Sequence, residues 1–263
     1  MKGTTVDRRS FASAALLTAA APLLANASPA FANSQAQGQD GKLTRTMLDA
    51  LTRELDDAQT AALVEPVIEG VGFDWHPPTC PVDAFDFIVA YGFGNRPPEG
   101  GGDPTRVLYE PGPVNEQLAD TVALLRRQSN VPVYAQWEIA RFLDSKYGMP
   151  NVTSIEPVVA ADGTITYLST DGVAAQVAAL RNGRPGTTAG VVGFRDHLKR
   201  CVQTTQDRGM QAYAPEGIEM PRTYDPQSGQ AWTRRRDLYL VHDMFAQIGV
   251  VRAKLIAEAY PNG

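Results

Sequence analysis

The sequence lacks the short motifs that mark several common enzyme classes. It contains no G-x-S-x-G for a hydrolase nucleophile elbow, no G-x-x-x-x-G-K-[ST] for a P-loop and no H-E-x-x-H for a zinc protease. Gly92 and Gly94 form a single G-x-G after an apolar run, but Pro97 stands where a third glycine would be needed. This departure excludes the usual dinucleotide-binding fingerprint.

Histidine and cysteine are scarce, with 3 and 2 residues in a chain of 263. The histidines, at positions 76, 197 and 242, are scattered, so their spacing predicts no metal site. Cys80 and Cys201 allow two interpretations, a disulfide outside the cytoplasm or two buried free thiols. The sequence does not decide between them, because pairing depends on the distance between the two residues.

Positive charge is not in excess, and the body of the chain has no long apolar run. The formal net charge is −5, which argues against nucleic acid as a partner. Beyond the N-terminus, no stretch is apolar and long enough to cross a bilayer. The sequence therefore predicts no stable membrane span once the N-terminal segment has been removed.

Residues 1–32 have the organisation of a secretory signal peptide. The letters RRSF at 8–11 precede an apolar stretch at 12–27 and an A-F-A cleavage site that ends at Ala32. The arginine pair resembles the twin-arginine export motif. We predict cleavage after Ala32 and a secreted or cell-envelope location. The alternative, a retained membrane anchor, is disfavoured because the apolar core is short and rich in alanine and proline.

Residues 33–83 predict an N-terminal helical segment followed by a loop. The polar start at 33–41 is typical of a flexible terminus. From Leu43 onward, apolar residues recur at spacings of three and four, which predicts an amphipathic helix that breaks before Pro66. The prolines that follow favour a loop up to residue 83.

The remaining residues, 84–263, alternate short apolar runs with helical patterns and predict one α/β domain. This alternation is typical of a mostly parallel sheet covered by helices on both faces, a three-layer α/β/α sandwich whose ligands bind at the carboxyl edge. Strands are predicted at 84–94, 131–136, 152–159, 187–194 and 210–215, with an edge strand or extended connection at 164–170. Helices are predicted at 115–130, 137–148, 170–183, 195–209 and 232–260.

The long helix predicted at 232–260 carries a stripe of apolar residues that we expect to face the core. If this stripe is exposed instead, it would support a structural or partner-binding protein. Its members are Leu238, Val241, Phe245, Ile248 and Val251.

The stretch GFRDHLKRC at 193–201 places a histidine and several charged residues directly after a predicted strand. His197 and Arg200 are three residues apart, so they share one face of a helix whose N-terminus favours an anion. Arg200 would hold a phosphate or carboxylate, His197 would transfer a proton, and Asp196 would orient the imidazole or cap the helix. The alternative is a solvated charged face with a packing histidine.

Three further residues are candidates for the same site. Arg106, after a glycine-rich loop, is either a second anion clamp or a surface arginine. Glu138 lies in a first helical turn, where it either complements the helix dipole or, if buried, acts as a general base. Thr170 or Asp171 is expected to cap the helix that begins there, and Thr170 is also expected to contact the ligand.

In their order along the chain, these features resemble the SanA/YdcF-like family of bacterial envelope proteins, a domain of unknown function. The resemblance covers residues 84–255 and implies a Rossmann-like fold with a pocket for a small, nucleotide-like molecule and a link to envelope biogenesis. The matching features are the strand that ends in Gly92 and Gly94, then Arg106, Glu138, Thr170 and the His-x-x-Arg of His197 and Arg200.

These observations predict an exported domain that binds a small anionic molecule, phosphorylated or nucleotide-like, at the carboxyl edge of its sheet. As an enzyme it would perform acid/base or hydrolytic chemistry. The alternative is a non-catalytic binding or scaffold protein of the cell envelope, and the sequence names no cofactor. The expected catalytic residues are His197 and Glu138, and the expected ligand-binding residues are Gly92, Gly94, Arg106, Thr170, Asp196 and Arg200.

Overall fold

The computed structural model of the protein describes residues 37–182 and 186–261. The predicted signal peptide, 1–32, lies outside the described residues. The chain divides between Leu43 and Thr44, and the second unit holds the entire sheet. Within the described ranges, no helix combines the length and the apolar character that crossing a membrane would require.

A sheet of six parallel strands forms the centre of the fold, as predicted. The order of its strands is β1-β8-β7-β2-β3-β4, and every neighbouring pair is parallel. The remaining two strands, β5 and β6, form a separate antiparallel pair. The strands are β1 (Thr79–Cys80), β2 (Phe87–Ala90), β3 (Val133–Gln136), β4 (Val152–Ile155), β5 (Val158–Val159), β6 (Ile165–Thr166), β7 (Thr188–Val192) and β8 (Gln211–Pro215).

Helices flank this sheet and complete the predicted three-layer, Rossmann-like architecture. The helices are α1 (Gln37–Leu55), α2 (Ala58–Gly72), α3 (Pro113–Gln128), α4 (Trp137–Ser145), α5 (Thr170–Leu180), α6 (Leu198–Asp207) and α7 (Arg236–Ala259). Helix α3 packs against α4 and contacts β2 and β7, whereas α5 packs against α6, which covers β7 and β8. A short 3-10 turn, Arg195–His197, leads from β7 into α6.

The core centres on the two middle strands. All four residues of β2 and the last four of β7 are buried, which explains why both segments read as continuous apolar runs rather than as alternating patterns. Helix α3 buries Leu118, Val122 and Leu125 against them, the face that the helical spacing indicates. The apolar runs therefore position the strands whose ends form the cavity described below.

The N-terminal segment differs from its prediction in where the helix breaks. The interruption lies at Asp56 and Asp57, where the carboxylate of Asp57 accepts hydrogen bonds from the backbone N–H groups of Gln59 and Thr60 at 2.9 and 3.0 Å and so caps α2. Pro66 lies inside α2 rather than at its end. The cap at Asp57, rather than Pro66, therefore determines where the helical segment is interrupted.

Two strand assignments also differ. The segment predicted as a loop up to residue 83 contributes β1, whose backbone pairs with β8 between flanking prolines. The strand predicted at 152–159 is two strands, β4 in the main sheet and β5 in the separate hairpin. Very short strands of this kind carry too little periodicity to be recognised in a sequence.

Helix α7 faces the opposite way from its prediction. Leu238, Val241, Phe245 and Ile248 are exposed, and Val251 is only half-buried. Its buried residues are instead Tyr239, Asp243 and Gln247. The expectation was wrong because the surface beneath α7 is a polar cluster, so the inward face of this helix is polar.

Cys80 and Cys201 are both free thiols. Cys201 is fully buried in α6, where burial raises the pKa of its thiol well above the usual value. The sequence left open whether the two cysteines form a disulfide, and in the structure they are unpaired.

Candidate functional site

A cavity of about 280 Å³ lies at the carboxyl ends of β2, β3 and β7. The order of strands reverses beside β2, because β3 lies on one side of it and β7 on the other, and ligands of such sheets bind at this switch point. Six of the eight predicted site residues line the cavity: they are Gly92, Gly94, Glu138, Thr170, His197 and Arg200.

The glycines after β2 are required by close approach of their neighbours. Gly94 has φ +67°, and a Cβ added there would lie 2.7 Å from Oγ of Ser228 and 2.8 Å from Oγ1 of Thr233. A Cβ at Gly92 would lie 3.2 Å from Oε2 of Glu138. Both glycines therefore allow polar side chains to close around the end of the strand.

Side-chain amides hold the glycine loop in place. The backbone N–H of Gly92 donates to Oε1 of Gln136 at 3.0 Å, and that of Phe93 donates to Oδ1 of Asn115 at 2.8 Å. Nδ2 of Asn115 in turn donates to the carbonyl of Gly94 at 2.8 Å. The loop is thus fixed from α3 and from the end of β3.

Aromatic rings pack beneath the loop. The ring of Phe93 stacks on that of Phe194 with centroids 4.0 Å apart, and the ring of Tyr239 meets Phe93 edge-on at 4.6 Å. These rings exclude water from one side of the cavity. The charged form of a nearby group that has no partner of opposite charge is therefore disfavoured.

Glu138 lies in the first turn of α4 and is 3% exposed. Its Oε2 has no hydrogen-bond partner among the described residues. Burial raises the pKa of Glu138 to about 8. The carboxyl is therefore mostly protonated at neutral pH and can donate a proton to a bound molecule.

His197 is the last residue of the turn between β7 and α6 and is 5% exposed. Its Nε2 lies 3.3 Å from Oγ1 of Thr170. Its Nδ1 lies 3.4 Å from Oδ1 of Asp243 but makes no hydrogen bond with a described residue. Burial, and then the charge of Arg200, lowers the pKa of His197 to about 4. The imidazole is neutral at physiological pH and is able to accept a proton.

Arg200 connects the cavity wall to helix α7. Its Nε donates to Oδ1 of Asp243 at 2.6 Å, and its guanidinium also donates to Oγ1 of Thr170 at 2.9 Å and to the hydroxyl of Tyr239 at 3.2 Å. The guanidinium is thus held in one orientation beside the His197 ring.

Asp243 is the anionic centre of this cluster and is almost completely buried. It accepts hydrogen bonds from the hydroxyl of Tyr239 at 3.0 Å and from Nε2 of Gln247 at 2.8 Å. Burial alone would raise the pKa of Asp243, but the neighbouring His197 and Arg200 lower it below its usual value. Asp243 therefore stays ionised and balances the charge of Arg200.

Two predicted site residues lie elsewhere. Arg106 does not line the cavity: it is exposed, and its guanidinium donates to the carbonyl of Asp162 at 2.8 Å. Asp196 neither orients His197 nor caps α6, because the 3-10 turn directs its carboxylate away, towards the hydroxyl of Tyr224 at 2.8 Å and Nε of Arg236 at 2.9 Å. Asp196 thus fixes the start of α7 rather than the imidazole.

Thr170 lines the cavity but does not cap its helix. Ser169 is the cap, since its Oγ accepts a hydrogen bond from the N–H of Gly172 at 3.1 Å. The hydroxyl of Thr170 is therefore left for His197 and Arg200, the two groups that contact it.

Sequence reasoning missed the contribution of α7 and of the segment before it. Asp243 and Tyr239 complete the polar cluster, and Trp232 stacks on His242 at 5.0 Å in the cavity wall. One signal was present: Tyr239, Asp243 and Gln247 recur at intervals of four, which indicates a polar face on an otherwise apolar helix.

The fold defines a Rossmann-like α/β protein with a cavity where such sheets bind ligands. In the part of the chain that the structure describes, no three His, Cys, Asp or Glu side chains lie together as a metal site would require. Comparisons with protein-family models, with curated proteins and with solved structures found no match to this chain.

Proposed function

We propose that the protein binds a small anionic molecule in this cavity and performs acid/base or hydrolytic chemistry on it. The observation that supports the proposal most strongly is the presence of Glu138 and His197 in the same cavity. Burial moves their pKa values to opposite sides of neutrality, about 8 and about 4. Titratable groups whose environments separate their pKa values in this way are typical of acid and base pairs in enzymes.

The surroundings of the cavity favour an anion. Helices α4 and α5 both begin at its wall, and α4 has no side-chain cap, so its first N–H groups remain suited to an anion. Arg200 adds a guanidinium to the cavity lining, and this guanidinium can donate hydrogen bonds to an anion while its Nε pairs with Asp243. Protonated Glu138 adds no repulsion. These features support a phosphate or carboxylate as the recognised group.

The protonation states assign the two roles. In a hydrolysis, neutral His197 would accept a proton from the attacking water, and protonated Glu138 would give its proton to the leaving oxygen. This role differs from the one expected from the sequence, because Glu138 would act as an acid rather than as a base. The hydroxyl of Thr170, 3.3 Å from Nε2 of His197, would orient the imidazole.

The size of the cavity favours a small ligand. The cavity volume of about 280 Å³ lies just below the range of roughly 300–1,000 Å³ that is usual for small-molecule sites, which favours a sugar phosphate or a mononucleotide over a dinucleotide. This agrees with the nucleotide-like ligands that the SanA/YdcF-like resemblance implies. The predicted twin-arginine export would place the activity in the cell envelope.

A thermal-shift screen of the full chain tests binding. The probes are inorganic phosphate, nucleoside monophosphates, sugar phosphates and phosphorylated cell-wall precursors, and we expect at least one to raise the melting temperature by mass action. Thr170→Val should weaken that shift because it removes a cavity hydroxyl. The control Arg106→Ala should leave it unchanged, since Arg106 lies outside the cavity. If no probe stabilises the chain, or if only Arg106→Ala weakens binding, the proposal is wrong.

Turnover of the stabilising probe separates an enzyme from a binding protein. We expect His197→Gln to retain binding and to lower turnover by about 10²–10⁴-fold, the usual contribution of a general base. Binding with no turnover by the unsubstituted chain would support the alternative, a non-catalytic envelope protein in which His197 only positions the ligand.

A further inference from the structure

Helix α7 presents an apolar stripe to solvent and a polar face to the fold. Five large apolar side chains, listed at the end of this paragraph, lie on its outer side with exposures between 43% and 77%. The inner side is formed by Tyr239, Asp243 and Gln247. Helices at the surface of a monomer have the reverse arrangement, so the stripe indicates an interaction surface. The exposed stripe differs from the predicted one in having Leu255 in place of the half-buried Val251, and it consists of Leu238, Val241, Phe245, Ile248 and Leu255.

The spacing of the stripe is that of a coiled-coil seam. With Arg252 placed between Ile248 and Leu255, the residues follow one another at intervals of three, four, three, four and three. This is the strict a/d pattern that packs against another helix, and it extends over about 26 Å. A second helix is therefore the partner shape that fits the stripe.

The second half of α7 buries little of its surface against the residues that the structure describes, although Nζ of Lys254 pairs with Oδ1 of Asp207 at 2.6 Å. Between Ile248 and Ala259, only Val251 is half-buried, and every other residue is exposed. Isolated helical segments are marginal in water, and most helices in proteins depend on packing of an apolar face. The second half of α7 is therefore the part of the helix that packing against a partner would stabilise most.

We propose that the stripe of α7 binds the same stripe of a second copy of this chain, with the two helices antiparallel. The pattern is self-complementary about the midpoint between Phe245 and Ile248, because each a position then faces a d position of the other helix. In this register Leu238 faces Leu255, Val241 faces Arg252, and Phe245 faces Ile248, each of the second copy.

Arg252 selects the antiparallel arrangement. In a parallel pair the two Arg252 side chains would lie opposite each other within an apolar seam, where like charges repel. In the antiparallel pair the two Arg252 side chains are at opposite ends, and each aliphatic stem can cover Val241 of the other copy while the guanidinium reaches solvent. The single charge in the stripe therefore distinguishes the two orientations.

Sedimentation equilibrium of the full chain tests the association, and we expect twice the mass of one chain. Phe245→Glu should weaken the dimer by roughly 100-fold or more, because it buries an unpaired charge in the seam. The matched control is Leu124→Glu, which alters an exposed apolar residue of helix α3 and should leave the mass unchanged. A monomeric chain, including one that instead binds lipid vesicles or another protein through α7, overturns the proposal.

Disulfide trapping tests the orientation. Under mild oxidation, the double variant L238C/L255C should give a covalent dimer, whereas L238C alone should not, because only the antiparallel register brings these two positions together. The unsubstituted chain, with one half-buried and one buried cysteine, provides the background. Efficient cross-linking by L238C alone would establish a parallel pair and contradict the proposed register.

Discussion

Glu138 and His197 show how one physical cause produces two different chemical roles. Burial disfavours the charged form of any group, so it keeps the proton on a carboxyl and removes the proton from an imidazole. At neutral pH both groups are uncharged, which allows them to share a cavity with Arg200 and Asp243 at little electrostatic cost. The same burial prepares one of them to give a proton and the other to accept one.

The raised pKa of Glu138 predicts a specific dependence of stability on pH. The folded state retains this proton up to about pH 8, the raised pKa of Glu138, whereas the unfolded carboxyl releases it near its usual pKa of 4.5. The stability contributed by this carboxyl is therefore complete below pH 4.5 and is lost as the pH rises through 8. Relative to Glu138→Gln, the unsubstituted chain should lose on the order of 3 kcal/mol of unfolding free energy between pH 5 and 8.

Urea unfolding of both chains across this pH range measures the difference. Glu99→Gln serves as the control, because Glu99 is exposed and is not among the charges that act on Glu138. A constant difference between Glu138→Gln and the unsubstituted chain from pH 5 to 8 would mean that Glu138 is ionised in the folded protein.

Gly94 carries a second prediction at this scale. Gly94→Ala forces a side chain into the left-handed region and onto the hydroxyls of Ser228 and Thr233, so it should lower the free energy of unfolding by more than about 2 kcal/mol. Gly163 also has positive φ, 80°, but has open space around it. Gly163→Ala should therefore cost only about 1 kcal/mol. Equal losses in urea unfolding would contradict the close approach at Gly94.

Single residues also mark the limit of sequence reasoning. His197 and Arg200 could be predicted because they follow a recognisable strand at helical spacing. Asp243 could not be assigned to them, because it lies 43 residues further along the chain and meets Arg200 only in the folded structure. Arg106 follows an equally suggestive loop, yet nothing local reveals that the loop places it beside Asp162.

At the scale of elements, the contact between α6 and α7 depends on a buried ion pair. Removing the guanidinium in Arg200→Ala leaves the buried carboxylate of Asp243 without its main partner, so the free energy of unfolding should fall by about 3–5 kcal/mol. Arg106→Ala removes an exposed arginine and should change it by less than about 0.5 kcal/mol.

Chemical denaturation distinguishes these two variants. We expect Arg200→Ala to be much less stable than Arg106→Ala, although the sequence predicted the same anion-binding role for both arginines. If Arg200→Ala were as stable as Arg106→Ala, Asp243 would have to be solvated or protonated, and the described cluster would be incorrect.

Elements differ in how well the sequence predicts them. Strands β2 and β7 are predictable because parallel strands buried on both faces become continuous apolar runs. Helix α7 was predicted at the right place with the wrong face, because periodicity identifies an apolar stripe and not what covers it. Strand β1, with two residues, forms only because β8 supplies its hydrogen bonds.

For the whole molecule, the order of strands determines where chemistry can occur. The sequence predicts that strands and helices alternate, and hence a parallel sheet, but it does not state that β7 returns beside β2. That return brings the Gly92 loop, Glu138 and His197 to one edge. Composition and periodicity therefore predict the architecture, whereas long-range pairing of the strands decides which predicted residues meet.

The protonation state of His197 in the folded chain tests the account most directly. The chain has only 3 histidines, so the side-chain ¹⁵N signals can be assigned with His197→Gln as a reference. We predict that His197 stays neutral from pH 8 down to 5, with a pKa near 4, and that its signal shifts when a stabilising phosphorylated probe is added while that of His76 does not. The account would be contradicted if His197 titrated near pH 6.5 and its signal did not shift on addition of any probe.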